Sequence, residues 1–146
     1  MKFSEIILIF ILIMAAISFS LLYGDKSLQK VCFKDNCLSV EIADEPNERT
    51  QGLMFREKMD SDKGMLFIFE NEWIYPFWMK DTILPLDIIW MNSDKEIVFI
   101  KKNDEPYNTI PINPQKSALY VLEINAGESE NLDLDIGNMA SFIGIE

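Results

Sequence analysis

Two carboxylates, Asp81 and Asp87, stand close together in the chain beside an aromatic cluster of Trp73, Tyr75, Phe77 and Trp78. A pair of carboxyl groups held several ångströms apart can hydrolyse a glycosidic bond, one as acid and the other as base or nucleophile. The chain has no histidine. That excludes Ser-His-Asp and Cys-His machinery, the ordinary imidazole metal site and the imidazole proton switch. If the protein is an enzyme, Asp81 and Asp87 are therefore its catalytic candidates. With 24 Asp+Glu in the chain, two neighbouring carboxylates come cheaply, and Asp87 equally suits a backbone turn or an arginine pair.

Binding chemistry fits the same stretch. Aromatic faces with polar neighbours serve sugar surfaces and protein interfaces, which makes Trp78, Lys80, Thr82 and Asp87 candidate contacts for a ligand or partner. In an extended segment Phe77, Met79 and Asp81 share one face while Trp78, Lys80 and Thr82 share the other. One of those faces must pack the core. Arg49 and Arg56 are the chain's only arginines, and a guanidinium favours bidentate pairing with a carboxylate. Each either locks a helix to a strand through Asp87 or Glu123, or receives an anionic ligand or chain terminus. Arg49, Arg56 and Glu123 thus join the binding candidates.

Other chemistries find less support. The runs 60–64 (DSDKG) and 133–137 (DLDIG) suggest calcium, yet neither has the loop's Gly at position six or Glu at position twelve. No glycine-rich phosphate loop occurs. No metal and no cofactor is assigned. The net charge of -11 argues against nucleic acid, whose binders need a basic patch.

Cys32 and Cys37 frame a stretch with turn chemistry at Asp35 and Asn36. If residues 31–33 and 38–42 pair as a hairpin, the thiols face each other and form a structural disulfide in an oxidising compartment. The alternatives are two partly buried thiols or a redox centre. The C-x4-C spacing, without a thioredoxin-like pattern after it, speaks against the redox centre.

The elements that must position these residues begin after residue 24. Residues 6–23 are an uncharged apolar stretch, about 27 Å long as a helix and close to bilayer thickness. Its length favours an uncleaved transmembrane anchor over a signal peptide, and no lipoprotein cysteine follows. The short N-terminal tail leaves residues 25–146 as the translocated, extracytoplasmic domain; a cytosolic domain is the minor alternative. Lys2 and Glu5 cancel, so the whole surplus of acid belongs to that domain.

Within the domain, Leu38, Val40 and Ile42 alternate with polar residues as in a half-buried strand. Residues 65–69, 77–79, 86–91, 97–100 and 118–124 read as further strands, with 92–95 a hairpin connection. Leu132, Leu134 and Ile136 alternate again before a final apolar run. Residues 46–55 read as a short helix with Pro46 in its first turn, and 105–115, with three prolines, as an extended surface loop. The expected fold is mainly β (α+β): a small curled antiparallel sheet, barrel- or sandwich-like, with one short helix.

Several motifs follow in fixed order: Arg49, Thr50, Gly52, Leu53, Met54, Phe55 and Arg56; Gly64, Met65, Leu66, Phe67 and Phe69; then Phe77, Trp78, Met79, Lys80, Thr82, Pro85, Leu86 and Asp87. Tyr120, Val121, Leu122 and Glu123 complete them, with Ala126 and Gly127. This pattern resembles the DUF192 (UPF0127) family from about residue 38 to residue 142. The resemblance implies a small β-rich domain, often exported or membrane-tethered, with no established activity. Asp81 stands where the family pattern has Asn. The cysteine pair that many relatives carry near the loop after Glu105 is missing, with Tyr107 and Ile112 there instead. The leading expectation is a tethered extracytoplasmic domain that binds or assembles a cell-envelope protein or glycan. The alternatives are a carboxylate-based hydrolase of envelope glycan and a purely structural module.

Overall fold

A computed structural model describes residues 29–145, together with Glu5, Phe10, Ile13 and Met14. The expected anchor, residues 6–23, otherwise lies outside the described residues. Among those described, no helix is long and apolar enough to cross a membrane. The domain is mainly β: seven strands form one curled sheet, accompanied by two short helices.

The strands are β1 (Lys30–Phe33), β2 (Asn36–Ala43), β3 (Lys63–Trp73), β4 (Leu86–Met91), β5 (Ile97–Asp104), β6 (Ala118–Asn125) and β7 (Ala140–Ile143). Helix α1 spans Pro46–Gln51 and α2 spans Glu128–Asn131. The spatial order is β5-β4-β6-β3-β2-β1-β7. Every neighbouring pair is antiparallel except β2 and β3, which run parallel. The expectation of a purely antiparallel sheet is thereby corrected. The connection between β2 and β3 contains α1, and a crossover of that length returns the chain to the end where β2 began.

Curling brings the sheet's edges together at one end. Ile97 N donates to Asn138 O at 2.9 Å, Gly137 N to Ile97 O at 2.8 Å and Ala140 N to Lys95 O at 2.9 Å. Register shifts in β3 between Ile68 and Trp73, and within the β4–β5 pairing, supply the added twist. Both faces of the sheet are consequently buried in the middle, and all six residues of β4 are buried. Inside the curl lie Val31, Leu38, Val40, Leu66, Ile89, Met91, Leu122 and Ile124. On the outer face Met65, Phe67, Leu86, Ile88, Trp90 and Val121 pack against Leu53 and Met79, which come from the crossing segments.

Three other expectations change. Residues 77–79 are not a strand: Phe77 makes a single bridge to Ile112, and the segment crosses the outer face of the sheet. Leu132, Leu134 and Ile136 are not a strand either; α2 precedes them, and hydrogen bonds such as Leu134 N to Ser129 O at 2.8 Å hold a turn. The expected helix over 46–55 is shorter. Gly52 stops it with φ 49 and ψ -133, a combination open to glycine but hostile to side chains. At its start the Glu48 carboxylate accepts the backbone N–H groups of Asp44 and Glu45. The hairpin over β1 and β2 forms as expected, with Cys32 opposite Cys37 and a disulfide joining them.

Candidate functional site

The outer face of the sheet carries one chemically unusual residue. Glu123 lies in β6 between Ile88 of β4 and Met65 of β3, with 5 % of its surface exposed. Period two along β6 places it beside Val121 on the outer face, opposite to Leu122 and Ile124. Among the described residues no hydrogen bond or ion pair reaches its carboxyl group. Burial alone pushes its pKa from 4.5 up to about 8, because the charged form loses its hydration without gaining a partner.

Two segments wall the space above it. From one side come α1 and the turn after it, contributing Arg49, Gly52, Leu53 and Met54; from the other, Tyr75, Phe77, Trp78 and Thr82. Phe67 and Phe69 of β3 complete a cavity of about 160 Å³ with Glu123 in its wall. Gly52 is needed twice here. Besides its φ, a Cβ at that position would lie 3.2 Å from Phe67 Cζ and 3.9 Å from Glu123 Oε2, inside the space the cavity occupies.

The aromatic wall is tightly ordered. Phe69 and Tyr75 stack at 3.6 Å, while Phe77 meets Phe67 edge-on at 5.0 Å and Trp90 at 5.6 Å. Trp90 Nε1 donates to Tyr75 O at 2.9 Å, which pins the start of the crossing segment. Alternation along 77–80 places Phe77 and Met79 inward and leaves Trp78 48 % exposed at the rim. The expected two-face pattern then breaks: Asp81 takes φ 52, and Thr82 turns inward and becomes buried. Thr82 Oγ1 donates to Lys80 O at 3.1 Å. Phe55 and Tyr107 also have positive φ and are linked to this turn, Phe55 N donating to Asp81 O and Tyr107 N to Thr82 O. Left-handed backbone at bulky residues is costly and gathers where function constrains the chain.

The structure brings Arg49, Trp78, Thr82 and Glu123 around one cavity. It places the other candidates elsewhere. Arg56 forms a bidentate pair with Glu41 of β2, at 2.6 and 2.8 Å, rather than with Asp87 or Glu123. Arg49 donates through Nη1 to Asp44 O and Ile68 O, and its guanidinium lies 5.4 Å from the centre of the Phe69 ring. It braces α1 against β3. The Lys80 ammonium sits 5.5 Å from the Trp78 ring centre.

Asp87 is fully buried on the inner face. Its Oδ1 accepts from Asn103 N at 2.8 Å, and its Oδ2 from Gly127 N, Ser129 N and Ser129 Oγ at 3.0, 2.9 and 2.6 Å. Those bonds engage both oxygens and leave the carboxylate no surface to offer a substrate, while Asp81 stands outside the cavity lining. The two aspartates therefore do not form an acid/base pair across a common cleft. Among the described residues no group of three His, Cys, Asp or Glu side chains has the geometry to hold a metal ion. The cavity's lining from Gly52 to Met54, and Phe67, lay in the motifs without being singled out. Their signal was the glycine ahead of an apolar pair.

Residues 29–142 match the family model DUF192, described as an uncharacterized ACR. A protein of unknown function from Novosphingobium aromaticivorans is similar in structure, with TM-score 0.73 and 31% identity over 78% of this chain and 83% of that one. A candidate transcription regulator from Sinorhizobium meliloti 1021 is similar as well, with TM-score 0.74 and 36% identity over 78% of this chain and 91% of that one. No curated protein matches the chain. The ordered motifs, the curled sheet and the match over most of the length lead to one assignment: the chain belongs to the DUF192 family.

Proposed function

We propose that this protein is a binding domain, tethered through residues 6–23 to the outer side of a membrane, which receives a small group of a cell-envelope partner in the outer-face cavity. One observation carries the reading: a carboxyl group that is almost wholly buried, without a protein partner, opens into an aromatic-walled cavity. Burial of an unpaired carboxyl opposes folding, so a fold that keeps one beside an open space stores capacity for a ligand. Preformed, largely apolar cavities with few convergent polar groups are the usual form of small-molecule sites. The exposed Trp78 at the rim and the left-handed turn at Asp81 fit the same purpose.

The test is a fragment survey on the full chain in detergent micelles, read by amide chemical shifts. Fragments that bind are expected to shift Gly52, Leu53, Trp78, Thr82 and Glu123 together. Met54→Trp, which fills the cavity wall, should abolish those shifts while the remaining spectrum stays dispersed. Shifts scattered over the surface, or unaltered in Met54→Trp, would remove the cavity from the function.

A further inference from the structure

We infer that the cavity takes a small organic ammonium group that still carries N–H, with the Glu123 carboxylate as its counter-ion and the aromatic side chains along its hydrocarbon part. The inference rests on reading the cavity as a binding site and adds the chemical class of what binds. As a carboxylate Glu123 offers two acceptor oxygens, and among the described residues nothing donates to them. A ligand that completes the site must supply donors. An ammonium group supplies both the donors and the opposite charge, whereas a quaternary ammonium would leave the oxygens without hydrogen bonds. Phe67, Phe69, Tyr75, Phe77 and Trp78 provide ring surface, which attracts cations as well as alkyl groups.

Among the described residues no cation pairs with this carboxylate. Arg49, the only cation in the lining, spends its Nη1 on two backbone carbonyls and its plane on Phe69. Arg56 is bound by Glu41, which faces outward two strands away. Lys80 lies against Trp78 at the rim, and Lys63 pairs with Asp60 at 2.8 Å. The strands beside Glu123 present uncharged Ile88 and Met65. An anionic ligand would bring a second negative charge against a buried carboxyl whose pKa is set by burial alone, without help from Arg49. The domain's surplus of acid further raises the local concentration of cations.

The experiment compares n-butylammonium, n-butanol and n-butyrate on the full chain in micelles, by amide shifts and calorimetry, at pH 7 and pH 9. The ammonium probe is expected to shift Gly52 and Glu123 and to bind about tenfold tighter at pH 9, because the free carboxyl, with its pKa raised to about 8, must give up its proton. In Glu123→Gln, whose near-identical shape preserves the fold, binding should fall at least about tenfold and lose its pH dependence. If n-butanol or n-butyrate fills the cavity as well as the ammonium probe, or if Glu123→Gln binds it unchanged, the ammonium assignment is overturned while the cavity stays a binding site. If none of the three perturbs the cavity, the assignment falls, and the fragment survey alone decides the broader reading.

Discussion

Asp81 and Glu123 show how little a carboxylate's type says about its task. Asp81 occupies φ 52 in the turn that redirects Thr82. Short polar side chains tolerate that backbone better than others do, which accounts for Asp standing where the family pattern has Asn. Glu123 is set apart by burial. Its folded pKa, about 8, lies above its ordinary 4.5, so between those values the native state keeps a proton that the unfolded chain has released. Stability from this group is therefore greatest below pH 4.5 and declines as pH rises towards 8. Urea unfolding should show Glu123→Gln gaining on the wild type by an amount on the order of a few kcal/mol between pH 5 and pH 8, then levelling off. Parallel pH profiles for the two proteins would show that Glu123 is not held neutral by the fold.

Helix α2 is four residues long and has one buried residue, Ser129. Its tertiary anchor is Asp87 of β4, which takes the N–H groups of Gly127 and Ser129 on one oxygen and that of Asn103 on the other. The carboxylate thus ties β4, β5 and the start of α2 together where β6 ends. Asp87→Ala would strand three N–H groups and a hydroxyl in the interior. It should cost about 3–5 kcal/mol in denaturant unfolding. Asp81→Asn should stay within about 0.5 kcal/mol of wild type, as expected away from buried networks. Equal, small effects of both would contradict the structural role of Asp87. Helix α1 illustrates the complementary case: no residue of it is buried, and capping by Glu48, the Gly52 stop and the Arg49 brace hold it over the cavity.

Across the whole molecule, the curled sheet buries both of its faces with a single layer of strands. The inner face fills itself, and the outer face is covered by the crossing segments, which meet imperfectly above Glu123 and leave the cavity. Inside the edge strand β7, the neighbouring β1 and β2 are joined by the Cys32–Cys37 disulfide. A disulfide persists in oxidising compartments and is reduced in the cytosol, so its state in cells tests the proposed extracytoplasmic location. In cells producing the full chain, both cysteines are expected to resist alkylation until a reductant is added, and the protein to sediment with membranes. Ready alkylation without reductant would place the domain in a reducing compartment and defeat the extracytoplasmic proposal. Because the disulfide closes so short a loop, its reduction should cost only about 2 kcal/mol.

The chain's own order determined much of this. Alternation marked β2 and set Phe77 and Met79 on the face opposite Trp78 and Lys80, and the turn residues between Cys32 and Cys37 marked the hairpin. Pro46 marked the start of α1, though not its end at Gly52, and the ordered motifs marked the family. These signals are local, since they depend on residues within one or two turns of each other. The tertiary structure decided what becomes of each charged group. Asp87 and Glu123 both lie in buried strands, and pleating puts them on opposite faces. One face offers Asp87 the amides of Asn103, Gly127 and Ser129; the other sets Glu123 in the wall of a cavity whose side chains donate nothing to it. Those neighbours come from distant parts of the chain, and the low dielectric around a buried group makes its partners decide its chemistry.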